Sequence, residues 1–127
     1  MKPAPQAFKL LVVDDDEDTR FVIGEFLQFK GWQVALAASG EKALEMLGAE
    51  DFHGVLLDLM MPGMPGQAVL REIRARGFTM PIIIISGYGD LASDVLREGA
   101  QAYLPKPLDK SQLQQLLALH VGSPKDC

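Results

Sequence analysis

The chain has 127 residues, 48% of them apolar and 23% charged, proportions that fit one domain around a single core. Lys and Arg total 12 against 17 Asp and Glu, and the formal charge of −5 argues against nucleic acid or an anionic membrane as direct partner. The lone cysteine, Cys127, excludes a disulfide framework and a cysteine metal cluster. The opening Met1-Lys2-Pro3-Ala4-Pro5 starts no signal-like apolar run, and no apolar stretch reaches membrane-spanning length, so a cytoplasmic setting is expected.

Short, mostly apolar runs at 9–13, 33–37, 54–57, 82–85 and 102–104 read as strands buried on both faces. Amphipathic stretches alternate with them. The first helix starts near Asp16 and stops at Gly31, with Val22, Ile23, Phe26 and Leu27 at helical spacing. Ser39 caps a second helix that carries Ala43, Leu44 and Leu47 and ends at Gly48. A third runs from Gly66 to Arg76, and a fourth, short one lies between Asp90 and Glu98. The last spans Lys110 to His120, with Asp109 as cap and Gln112 in a variant of the capping box. Flanking this unit, 1–8 reads as an N-terminal extension, 9–121 as the domain and 122–127 as a tail. Strands alternating with helices imply an α/β fold, a doubly wound five-stranded parallel sheet with five helices on both faces. Ligands of such sheets bind beyond the carboxyl ends of the strands.

Those ends are polar. The first strand runs into Asp14-Asp15-Asp16, the third into Asp58, the fourth into Ser86, and the fifth is followed by Lys106-Pro107. Crowded carboxylates repel one another and resist ionisation unless a cation sits among them. Oxygen-only donors suit Mg²⁺. A carboxylate-held cation facing a lysine and a hydroxyl makes a phosphoryl site, and without a Ser–His or Cys–His pair the nucleophile is a carboxylate. Taken singly the pieces have structural explanations: an acidic run at a helix N-terminus suits the macrodipole, and a lone Asp after a strand is commonly a turn residue. Their convergence on one rim favours the functional reading.

The motifs Leu11-Val12-Val13-Asp14-Asp15, Leu56-Leu57-Asp58-Leu59-Met60-Met61-Pro62-Gly63-Met64-Pro65-Gly66, Ile84-Ile85-Ser86-Gly87 and Tyr103-Leu104-Pro105-Lys106-Pro107 closely resemble the receiver domain of two-component response regulators. The resemblance covers about Lys9 to Leu119 and implies a flavodoxin-like sheet in the order 2-1-3-4-5. It implies that Asp58 accepts a phosphoryl group from a phosphohistidine of a histidine kinase or phosphotransfer protein. Mg²⁺ would be held by Asp15 directly, by Asp14 largely through water, by Asp58 and by the Met60 backbone carbonyl. Lys106 would pair with phosphoryl oxygens, and its bond to Pro107 would be cis. Ser86 and Tyr103 stand at the switching hydroxyl and aromatic positions, so phosphorylation would shift a population toward a state read by a downstream protein.

Two departures carry expectations. The Ser86–Tyr103 interval is shorter than in many members, which implies a short fourth helix or a tight entry loop. Met60 and Tyr88 stand where family side chains tune hydrolysis, and neither is an acid or amide able to orient water, so slow self-dephosphorylation is expected. The domain would catalyse only its own phosphorylation and dephosphorylation. With no output segment expected, the uses are a stand-alone regulator, a relay intermediate or a receiver from a longer kinase. In the last helix Leu113, Leu116, Leu117 and Leu119 exceed one buried stripe. Either most face the sheet, or the surplus serves a partner or a homodimer through the fourth- and fifth-helix region.

Rival readings fare worse. Gly87-Tyr88-Gly89-Asp90-Leu91-Ala92 fits a dinucleotide fingerprint but follows the fourth predicted strand, not the first. A haloacid-dehalogenase-type phosphatase shares the Mg²⁺ and the aspartyl phosphate, yet Asp18 occupies the place of its Thr or Val and the lysine follows the second acidic motif instead of preceding it. His53 and His120 lack ligand-spaced partners, Met60, Met61 and Met64 read as packing residues, and Trp32 falls at the pole opposite the site.

Overall fold

The computed structural model describes residues 8–87 and 92–122. In chain order the elements are β1 (Lys9–Val13), α1 (Glu17–Phe29), β2 (Gln33–Ala37), α2 (Gly40–Ala49), β3 (Gly54–Asp58), α3 (Gly66–Ala75), β4 (Ile82–Ser86), α4 (Ala92–Arg97), β5 (Ala102–Pro105) and α5 (Lys110–His120). All pairings are parallel, and the sheet order is β2-β1-β3-β4-β5, as expected.

Successive side chains on a strand point to opposite faces, and both faces here are covered, which is why the runs are apolar throughout. Leu10, Val12, Leu56, Ile83 and Ile85 pack beneath α1 and α5 through Ile23, Leu27, Leu113 and Leu117. Leu11, Val13, Leu57, Ile82 and Ile84 pack on the other side against α2, α3 and α4 through Leu47, Val69, Leu70, Ile73 and Val95. The helices start where capping chemistry starts them: the side chains of Asp16, Ser39 and Asp109 accept the backbone N–H of Thr19, Lys42 and Gln112 at 2.9, 3.1 and 3.1 Å.

Several boundaries and faces differ from expectation. β3, β4 and β5 each run one residue further, taking in Asp58, Ser86 and Pro105. Gly48 lies inside α2, which continues to Ala49, because an exposed helical glycine lowers propensity without stopping a helix already packed on the core. Val22 is exposed: the buried stripe of α1 is Ile23, Gly24 and Leu27, and Val22 sits a third of a turn off it. α4 is a short helix of 6 residues, and the expected helix start at Asp90 lies outside the described residues. Met60 does not pack, being 51% exposed, whereas Met61 is buried and Met64 rests on the core.

The chain reverses its order across the sheet between β2-β1 and β3, so the crevice opens at the carboxyl ends of β1 and β3. Val13 lies level with Leu57, which brings Asp14 and Asp58 side by side as the next residues of adjacent strands.

Candidate phosphoryl and metal site

Three polar residues are fully buried among those described: Asp14 at 2% exposure, Asp58 at 3% and Ser86 at 0%. All three stand at strand ends on one rim. The Asp14 N–H donates to the Ala37 carbonyl at 3.1 Å, tying it to the end of β2. Its carboxylate accepts the Asp16 N–H at 2.9 Å and the Lys106 ammonium at 3.2 Å. Lys106 Nζ also stands 3.5 Å from Asp58 Oδ1, so one ammonium bridges two carboxylates. The Met60 N–H reaches Asp58 Oδ1 at 3.4 Å, a long bond. Asp15 is exposed at the tip of the loop.

The Ser86 carbonyl accepts both the Lys106 N–H at 2.9 Å and the Tyr103 hydroxyl at 3.0 Å. Tyr103 is half-buried against the α2–α4 side of the core. The Lys106–Pro107 peptide is cis, as expected.

Burial first, and the Asp14 charge second, push the Asp58 carboxyl above its ordinary value; Lys106 and the Met60 N–H only partly offset this. Burial alone would lower Lys106, but Asp14 and Asp58 outweigh it and the ammonium is raised overall. The side-chain and backbone hydrogen bonds from Thr19 hold Asp16 below the ordinary range, so it serves as a helix cap. One carboxylate oxygen from each of Asp14, Asp15 and Asp58 can be chosen so that all lie within 4.8 Å of one another. Hard oxygen donors at that spacing, one of them disfavoured in its charged form, fit a divalent cation.

The structure thus gathers Asp14, Asp15, Asp58, Ser86, Lys106 and Tyr103 around one rim. Tyr88 and most of the glycine-rich stretch after β4 lie outside the described residues. His53 is structural, its Nδ1 accepting the Lys9 N–H at 3.0 Å. One contributor escaped the sequence reading. Arg20 donates through Nη1 to the Asp14 carbonyl at 2.7 Å. Its signal was a cation in a helix's first turns, where the macrodipole disfavours it unless anions stand near. Gly66, the last residue of the motif after β3, meets the site closely: a Cβ there would lie 2.1 Å from the Asp58 carbonyl oxygen.

Beside the rim, a groove of about 290 Å³ runs between α1 and the start of α5, lined by Val22, Ile23, Phe26 and Leu108 with Asp18 and Lys110 at its edge. The outer surface of α1 continues it with exposed Phe21 and with Phe29, which is 81% exposed.

The family model described as the response regulator receiver domain matches residues 10–118. The response regulators MprA of Mycolicibacterium vanbaalenii and of Mycobacterium ulcerans are each 38% identical over 112 residues, covering 87% of this chain and 47% of theirs. The chain therefore spans about half the length of those curated relatives. A CheY-like receiver domain protein from Methanospirillum hungatei superposes with TM-score 0.86 at 29% identity, covering 91% of this chain and 94% of that one. TrrA of Thermotoga maritima, solved in complex with Mg²⁺-BeF, superposes at 0.82 with 31% identity over 88% and 97%.

Proposed function

We propose a function from one premise: the chain belongs to the response regulator receiver domain family. It is a phosphorylation-dependent signalling switch that takes a phosphoryl group onto Asp58. The observation that carries this is a buried carboxylate at the end of β3 whose Oδ1 lies 3.5 Å from an ammonium and beside two further carboxylates. The donor is a phosphohistidine of a histidine kinase or phosphotransfer protein. An Asp58 carboxylate oxygen forms the new bond to phosphorus as the bond to the imidazole nitrogen breaks, and that nitrogen keeps the electron pair.

Asp14, Asp15, Asp58 and the Met60 carbonyl would hold Mg²⁺, which when bound supplies charge stabilisation to the phosphoryl oxygens. Lys106 is placed to leave Asp14 and Asp58 for the incoming phosphoryl oxygens, a stronger charge-assisted partner. The Ser86 hydroxyl then turns to a phosphoryl oxygen. Tyr103, bonded to the Ser86 carbonyl, is mechanically coupled to that movement and relays it to the surface.

The groove beside α1 is the surface on which the phosphodonor docks, since its apolar lining borders the rim that the donor must reach. The downstream target is a protein. Exposed Leu96 on α4 and Leu119 on α5 mark a second surface, for that target or for a second copy of the chain. No described helix is long and apolar enough to cross a membrane. As a receiver taking its phosphoryl group from a histidine kinase, the domain would work in the cytoplasm. It turns over no substrate beyond its own phosphoryl group. Incubation with Mg²⁺ and a small phosphodonor should load one phosphoryl group per chain and leave phosphomonoesters uncleaved; sustained phosphomonoester turnover would revive the phosphatase reading.

A further inference from the structure

We propose that Arg20 is a positioning residue for the divalent-cation site, acting through the backbone that carries Asp15. The inference rests on the Mg²⁺ reading above. Asp15 is the exposed carboxylate of the cluster, and among the described residues no hydrogen bond or ion pair holds its side chain. Its direction is therefore set by the two peptides around it.

Both are tied down from outside. The Asp16 N–H, on the far side, donates to Asp14 Oδ1 at 2.9 Å. The Asp14 carbonyl, on the near side, accepts Arg20 Nη1 at 2.7 Å, a short charge-assisted bond. Arg20 is itself fixed at its root, because its N–H donates to the Asp16 carbonyl at 2.9 Å within α1. The guanidinium thus spans from the helix back to the loop and holds the Asp14–Asp15 peptide plane. Without it that plane can rotate, carrying the Asp15 Cβ with it, and part of the binding energy goes to ordering the loop.

Charge alone predicts the opposite. A permanent cation close to a cation site repels Mg²⁺, so deleting it should tighten binding. Positioning predicts weaker binding, and outer partners of metal ligands typically contribute about 10–100-fold in affinity. The sign separates the two effects.

The experiment is calorimetric titration of Mg²⁺ into the wild type, Arg20→Ala, Arg20→Met and Asp15→Asn, with thermal unfolding of each in chelator. Wild-type binding that Asp15→Asn loses establishes the site. The expected result is Mg²⁺ affinity about 10-fold weaker in Arg20→Ala, at the low end of that range, with metal-free unfolding little changed. Arg20→Met, which keeps the apolar stem without the donor, should weaken it equally and serves if the alanine variant folds poorly. Affinity equal to or tighter than wild type in either variant overturns the positioning role while leaving the site standing. Absence of Mg²⁺ binding by the wild type overturns the site reading and this inference with it.

Discussion

Gly66 decides how closely α3 meets the end of β3. A Cβ there would stand 2.1 Å from the Asp58 carbonyl oxygen and 2.6 Å from the Leu59 Cα, and these are backbone atoms that cannot swing aside. Gly66→Ala must push the start of α3 away from the end of β3. The expected cost is about 1–3 kcal/mol, read as a lowered urea midpoint at unchanged slope. The sequence showed this glycine as the end of a family motif and the start of a helix, but not why it is needed, because that need arises from contact between two segments and leaves no periodic trace. Asp14, Asp58, Ser86 and Lys106 were legible because a polar residue ending an apolar run stands out. Met60 was expected to pack and does not. Its side chain is exposed and offers neither acid nor amide to a water molecule. The phosphorylated wild type should decay slowly after donor removal, and Met60→Asn should shorten its lifetime, followed by intact mass over time. A lifetime of seconds in the wild type, lengthened by the asparagine, would contradict this.

Elements are held by contacts that the one-dimensional pattern does not carry. α4 has 6 residues, too few to persist alone, and α3 secures its end. Arg71 Nε and Nη2 donate to Glu98 Oε2 at 2.9 and 2.7 Å, and Gln67 Nε2 donates to Oε1 at 3.0 Å. Arg74 adds bonds to the Gly99 carbonyl at 3.1 and 2.8 Å. That α4 would be short, or its entry loop tight, was legible in the Ser86–Tyr103 interval. Its attachment was not, since Arg71 and Glu98 lie 27 residues apart and any of several acids could have been the partner. The Arg71 hydrogen bond first, then that from Gln67, holds Glu98 below the ordinary carboxylate range. Folding therefore favours the charged form. The stability this contributes is present above the pKa of the unfolded chain and is lost as pH falls through the lower folded value. Glu98→Gln should destabilise the protein near neutrality, and the gap to wild type should close as the solution is acidified through the carboxylate range. Urea unfolding at stepped pH checks this, and a gap independent of pH would refute the assignment.

For the molecule as a whole, the parallel sheet and its order followed from apolar runs alternating with capped helices, together with the receiver resemblance, and both are observed. The acidity has a local meaning: of the −5 excess, Asp14, Asp15 and Asp58 stand within one cation's reach. Ligand that binds only the folded state raises its stability, by about 2.7 kcal/mol at 100 times Kd, so Mg²⁺ should raise the unfolding temperature and Asp15→Asn should abolish most of the shift. Trp32 can follow that unfolding, because it is buried against Phe8 at the amino end of β2, the pole away from the rim, and its emission should ignore Mg²⁺ itself. The central claim is that Asp58 is the phosphoacceptor, and intact-mass measurement with Mg²⁺ and a small phosphodonor tests it most directly. One phosphoryl adduct on the wild type and none on Asp58→Asn is the predicted result; no adduct on either, or an equal adduct on both, would contradict it.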